Sequence, residues 1–167
     1  RDLAHENFEH FCFDYYASES DGVHKLTPRE NIENVYQSLQ QYIHHVPEYF
    51  DGNDKIKASI LFNGTTGVGK TFLTKCVAKE LLDAGYAVLY TSASNLFQMA
   101  ADVQLNKNQI EGSQEFLFGM EQCDFLIIDD LGTELSNNFT ASCFYSLINN
   151  RLLQHKATII STNLSLK

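Results

Sequence analysis

Four short apolar runs punctuate this chain, and between them apolar residues return every three or four positions. Residues 58–62, 86–90, 125–128 and 158–162 are too short and too continuously apolar for surface helices, and they read as buried strands. Residues 72–84 and 138–153 read as helices. So do two shorter stretches, one carrying Leu96, Phe97, Met99, Ala100 and Val103, the other Phe116, Leu117 and Met120. Upstream, Ile32, Val35, Tyr36, Leu39, Tyr42, Ile43 and Val46 mark one buried face of a further helix. Strands that alternate with helices predict a parallel sheet covered on both faces, an α/β domain of three layers.

Local chemistry sharpens the ends of these elements. Thr27-Pro28-Arg29-Glu30 is a capping box with Pro at the first helical position, so the upstream helix starts there. Pro47 is expected to end it. Gly85 fits the C-terminal cap of the helix over 72–84, and Ser94 the N-terminal cap of the helix after the second strand. Residues 18–25, with Gly22, read as a loop, Asp51-Gly52-Asn53-Asp54 as a turn, and Asn106-Lys107-Asn108-Gln109 as a polar connection. Adjacent His44 and His45 cannot point the same way on a helix, which argues against a metal pair there.

The chemistry begins between the first strand and its helix. Gly64-Thr65-Thr66-Gly67-Val68-Gly69-Lys70-Thr71 fits G-x-x-x-x-G-K-[ST], and Phe72 continues it into the helix. The glycines let the backbone curl so that several N–H groups face one anion, and the helix aims the positive end of its dipole at the same point. Lys70 would reach the β- and γ-phosphates of a nucleotide such as ATP or ADP, and the Thr71 hydroxyl would ligate Mg²⁺. Aromatic residues of the stretch 8–16 read as an arm packed on the domain; their faces also suit stacking on a base.

Asp129 and Asp130 stand at the carboxyl end of the third buried strand, where open α/β sheets place their ligands. An unpaired carboxylate is expensive to bury, so a cation is the natural partner, and Asp129 is expected to hold Mg²⁺ beside Thr71. Asp130, one residue beyond the metal position, is the candidate to orient or deprotonate the attacking water. Asn163 ends the fourth strand and is either a turn residue or, emerging beside that acidic tip, a group that touches the γ-phosphate.

Composition narrows the setting. Four cysteines lie without C-x-x-C spacing and read as free thiols of a reducing cytoplasm. No apolar run approaches the roughly 20 residues of a membrane helix, so no membrane partner is expected. Of the net charge of −9, residues 1–55 hold 11 acidic against 4 basic side chains. A domain that grips nucleic acid unaided is normally basic, so this chain alone should hold single-stranded DNA weakly. The division expected is an N-terminal arm with an amphipathic helix over 1–55 and the phosphate-binding core over 56–167. Beginning at Arg1 and stopping at Lys167, the chain reads as a piece of a longer protein.

Together, the stretch Gly64 to Thr71, Phe125-Leu126-Ile127-Ile128-Asp129-Asp130-Leu131-Gly132-Thr133-Glu134, Ile148-Asn149-Asn150-Arg151 and Thr158-Ile159-Ile160-Ser161-Thr162-Asn163-Leu164 resemble the DnaC/IstB group of AAA+ ATPases. The resemblance implies a P-loop AAA+ core, Mg²⁺-dependent ATP hydrolysis, self-assembly, and a role in loading the replicative helicase onto single-stranded DNA. The same group contains ATPase helpers of transposases, which is the alternative. A small-molecule P-loop kinase is a third reading, although the stretch after the second strand lacks the arginine of a kinase lid. The DnaC/IstB resemblance implies that Asn163 is the γ-phosphate sensor, that Glu134 shares the base role with Asp130, and that residues 94–114 form a helical insertion for assembly and DNA contact. Arg151 is open between a finger reaching a neighbouring subunit and a surface or helix-terminal arginine. The family's finger, second sensor and lid fall beyond Lys167, so hydrolysis by this stretch alone is expected to be slow.

Overall fold

The computed structural model of the chain describes residues 5–50, 58–105 and 112–165. A helix α1 (Pro28–Phe50) precedes a unit in which strands and helices alternate: β1 (Ile60–Asn63), α2 (Lys70–Asp83), β2 (Val88–Ser92), α3 (Ala93–Leu105), α4 (Ser113–Gln122), β3 (Phe125–Leu131), α5 (Asn138–Leu153) and β4 (Ala157–Thr162). The four strands form one sheet in the order β1-β4-β3-β2, with every neighbouring pair parallel. β3 and β4 are therefore central, which suits their almost uninterrupted burial.

Alternation along β3 sorts its side chains between two cores. Phe125 and Ile127 join Leu39 and Val46 of α1 and Leu73, Val77 and Leu81 of α2 on one face. Leu126 and Ile128 join Leu96 and Phe97 of α3, Met120 of α4 and Leu147 of α5 on the other. Three layers result, as the alternating pattern predicts.

The capping box at α1 forms in both directions: Thr27 N–H donates to the Glu30 carboxylate at 2.9 Å, and Glu30 N–H to the Thr27 hydroxyl at 3.1 Å. Gly85, at φ +89, closes α2 with its N–H on Leu82 O and the next N–H, from Tyr86, on Leu81 O. That pair of bonds is the Schellman arrangement.

Two boundaries differ from expectation. α1 continues through Pro47 to Phe50. A proline removes one helical hydrogen bond but does not prevent a further turn where packing holds it. Tyr49 packs on Tyr42, and Phe50 lies 5.5 Å from the rings of both Tyr86 and Phe125. At α3 the capping hydroxyl belongs to Ser92, which accepts from Asn95 N–H at 3.2 Å, because the helix leaves β2 without an intervening loop. Ser94 bonds Ser92 instead. The expected turn at 51–54 and the polar connection at 106–109 lie outside the described residues.

The aromatic arm is interlocked with the core. Phe11 contacts Phe13, Tyr36 and Phe72, and Phe8 contacts Tyr36 edge-on. Lys75 of α2 pairs with Glu6 at 2.6 Å.

Candidate functional site

The Gly-rich loop joins β1 to α2 at the carboxyl end of the sheet. Gly67 and Gly69 hold φ of +86 and +91, a region that an L side chain adopts only with strain. Gly69 occupies the cap position of α2 and has no side chain to offer, so the first N–H groups of the helix are not closed off by it. The loop is tied to the sheet by Gly64 N–H on Thr162 O at 3.3 Å. It is tied to the arm by the Tyr16 hydroxyl, which donates to Val68 O at 3.1 Å. Lys70 folds its ammonium back over the loop, donating to Gly64 O and Thr65 O at 2.8 Å each. A positive charge therefore sits within the curl of the loop.

Of the remaining loop positions, Thr65, Thr66 and Val68 are exposed. Phe72 turns its ring to Phe11, so only its backbone faces the helix start. A cleft of about 550 Å³ opens beside the loop, lined by Asp21, His24, Lys25, Leu26, Thr65 and Val68 among others. Its lining comes from residues 21–31 and the loop; of the aromatics of 8–16, Phe8, Phe11, Phe13 and Tyr16 pack on the core and Tyr15 is exposed.

Asp129 approaches the loop from β3. The residue is only 8% exposed, and its carboxylate accepts from the Thr71 hydroxyl at 3.2 Å and from the Ser161 hydroxyl at 2.5 Å. Tyr90 of β2, hydrogen-bonded to Thr74 at 3.0 Å, lies nearby. Burial, reinforced by the Asp129 charge, holds the Tyr90 phenol well above its ordinary pKa. Thr71 and Asp129 thus supply a hydroxyl and a carboxylate side by side at the mouth of the loop. That is the oxygen donor set that suits Mg²⁺, so the residues present fit the ion.

Asp130 is placed by a bulge. β3 pairs with β4 as far as Ile128 with Ile160, and again at Leu131 with Thr162, so Asp129 and Asp130 together oppose Ser161. Asp130 takes φ +58 and is exposed, and Leu131 returns to the buried face. Beyond the bulge, Thr162 donates its hydroxyl to Leu131 O at 2.6 Å, and the chain emerges at Asn163, which is exposed. Glu134 accepts from Gly132 N–H at 2.7 Å. A Cβ on Gly132 would stand 3.2 Å from Glu134 Oε2 and 3.9 Å from Asn163 Oδ1, so these two side chains share one small neighbourhood. Lys70, Thr71 and Asp129 lie at the loop, with Asp130 and Asn163 on the adjoining strand tips and Glu134 in the short 3-10 turn Thr133–Ser136 that follows β3.

Arg151 is elsewhere. It is fully buried at the end of α5 and donates to the carbonyl oxygens of Met120, Cys123, Asp124 and Ala157 at 2.6, 3.0, 3.2 and 2.5 Å, and to the Thr158 hydroxyl at 3.0 Å. Burial lowers its pKa. It is neither a surface residue nor one that reaches a neighbouring subunit, because every direction of its guanidinium is taken up in joining the α4–β3 and α5–β4 connections. Three residues at the site escape the sequence reading: Ser161, Thr162 and Tyr90. The signal for the first two is that β4, after Ile159 and Ile160, ends on two buried polar residues.

A parallel sheet with the Gly-rich loop after β1, an acidic tip on β3 and a polar tip on β4 defines a P-loop domain of the AAA+ type. Residues 53–167 match the family of IstB-like ATP binding proteins, and the chain belongs to that family. It is 27% identical to the replicative helicase loader DnaC of Escherichia coli (strain K12) over 134 residues, 80% of this chain and 51% of that protein. The chain therefore spans about half the length of that curated relative. Among solved structures, the crystal structure of the DnaC helicase loader superposes with a TM-score of 0.64 at 21% identity, covering 99% of this chain and 80% of that one. AMPPCP-bound DnaA from Aquifex aeolicus superposes at 0.63 and 22%, covering 96% and 42%. At these identities the structural likeness speaks for the fold. Among the described residues no helix is long and apolar enough to cross a membrane, and no group of three or more His, Cys, Asp or Glu is disposed to hold a metal ion.

Proposed function

We propose that this chain is the ATP-binding and ATP-hydrolysing part of a protein that assists DNA replication by loading the replicative helicase onto single-stranded DNA. The observation that carries the nucleotide chemistry is the meeting of Thr71 and Asp129 at 3.2 Å at the end of a loop into which Lys70 folds its ammonium. The partner is supported by the similarity to DnaC.

In this reading the loop N–H groups and Lys70 bind the phosphates, and Lys70 exchanges its two carbonyl partners for phosphate oxygens. Thr71 and Asp129 hold Mg²⁺, whose charge offsets that of the β- and γ-oxygens. Asp130, exposed at the bulge, orients or deprotonates water, with Glu134 sharing that task. Asn163 has an amide that both donates and accepts, and it reports whether the γ-phosphate is present. The cleft at 21–31 takes the nucleoside end. Self-assembly follows the family resemblance. Direct grip on DNA by this chain stays weak, given its net charge of −9.

The test has two arms. Lys70→Ala should abolish Mg·ATP binding by calorimetry, and retained tight binding would sink the phosphate assignment. Pull-down with the full-length protein should recover a hexameric helicase. Recovery of a transposase instead would move the protein to the other role known in the group that its motifs resemble.

A further inference from the structure

We propose that Ser161 is a positioning residue that sets both acidic side chains of the site at once, an inference that rests on the nucleotide reading above. Ser161 lies on β4, is 1% exposed, and stands opposite the two bulged residues of β3. Its hydroxyl donates to Asp129 Oδ1 at 2.5 Å and accepts from Asp130 N–H at 2.8 Å. A serine oxygen has one proton to give and two lone pairs to receive with, so a single atom satisfies both neighbours.

Each half of that bridge answers a specific need. A bulge leaves a residue out of the regular ladder, and here the backbone N–H of Asp130 goes to Ser161. Asp130 also holds φ +58, a conformation that persists in a non-glycine residue only when its surroundings over-determine it. On the other side, the Asp129 carboxylate takes its short bond from Ser161 and its longer one from Thr71, both on Oδ1, which fixes where that oxygen lies. Loss of a hydrogen bond that orients a metal-binding carboxylate typically costs about 10–100-fold in metal affinity or activity. The Ser161 hydroxyl thus holds the Mg²⁺-binding carboxylate and the water-directing residue in one fixed relation. Alanine at this position would leave the loop, and hence phosphate binding, untouched.

The experiment measures AMPPCP affinity of the full chain by calorimetry, with and without Mg²⁺, for the wild type, Ser161→Ala and Ser161→Thr. Metal-free affinity should be the same in all three. The gain on adding Mg²⁺ should fall about tenfold in Ser161→Ala and return in Ser161→Thr, whatever the added methyl does to the melting temperature. Turnover in Ser161→Ala should fall by about tenfold or more in kcat with KM for ATP, measured at saturating Mg²⁺, little changed. A full Mg²⁺ gain in Ser161→Ala overturns the inference. So does a matching loss of metal-free affinity, which would mark a general structural role. If Ser161→Ala does not fold, Ser161→Cys, which keeps the volume but donates weakly, decides by the same readings. A wild type that binds no AMPPCP sinks the nucleotide reading as well; a wild type that binds with a Mg²⁺ gain equalled by Ser161→Ala sinks only the role of Ser161.

Discussion

The Thr71 hydroxyl and the Asp129 carboxylate lie 3.2 Å apart although they are 58 positions apart in the chain. Asparagine at 129 would keep an oxygen for Thr71 and Ser161 and remove the charge. Asp129→Asn should therefore melt within a few degrees of the wild type. Its Mg²⁺-dependent gain in nucleotide affinity should fall at least about tenfold, measured by calorimetry with and without the metal.

Gly69 and Tyr16 form a tight pair between the loop and the arm. A Cβ on Gly69 would come 2.5 Å from the Tyr16 hydroxyl but 3.8 Å from the ring carbon that bears it. Gly69→Ala should lose about 1–2 kcal/mol to its left-handed backbone alone, and more to the hydroxyl. Adding Tyr16→Phe removes the close atom and should restore part of the second loss, a coupling of at least about 0.5 kcal/mol in a double-mutant cycle by urea unfolding. Strict additivity would show that the two residues do not meet.

Arg151→Ala should remove from the interior a guanidinium that donates to four backbone carbonyls and the Thr158 hydroxyl; Asp124 O keeps Ala157 N–H and Cys123 O keeps a long contact from Lys156, but Met120 O and Ala157 O lose their guanidinium donor. A loss of about 3–5 kcal/mol is expected, since unsatisfied buried polar groups of this kind are costly. In a domain of this size that lowers the melting temperature by about 10 °C or more. A variant that melts normally but loses turnover only in mixed assemblies would restore the reading of a finger in trans.

Cys76 is fully buried in the core, and burial, with Glu80 nearby, pushes its thiol up to about 12. Iodoacetamide at pH 8 should label exposed Cys12 first and leave Cys76 untouched until the chain unfolds, as read by peptide mass spectrometry. The stability linked to Cys76 is fully present below the unfolded thiol pKa of about 8.5 and is lost as pH rises from there towards the folded value.

Much of the fold is legible because it rests on local signals. Thr27 and Glu30 are three residues apart and complete their box with no help from the rest of the chain, and Gly85 ends α2 through bonds to Leu81 and Leu82. The continuous apolar run at 125–128 announces a strand covered on both faces, and it is central. Pro47 misleads because its local rule is overridden by Phe50 packing on Tyr86 and Phe125, partners that only folding brings near.

The candidate site divides the same way. By itself the sequence determined that a phosphate-binding loop stands between a strand and a helix and that an acidic pair follows a buried strand, because both are contiguous patterns with contiguous causes. Only the tertiary structure decided that Arg151 is enclosed by carbonyls from three segments, and that Asp129 turns inward while Asp130 turns out. Those outcomes depend on a one-residue bulge between β3 and β4 and on the hydroxyl of Ser161 opposite it. A pairing register is a relation between distant segments, and no window of residues contains it.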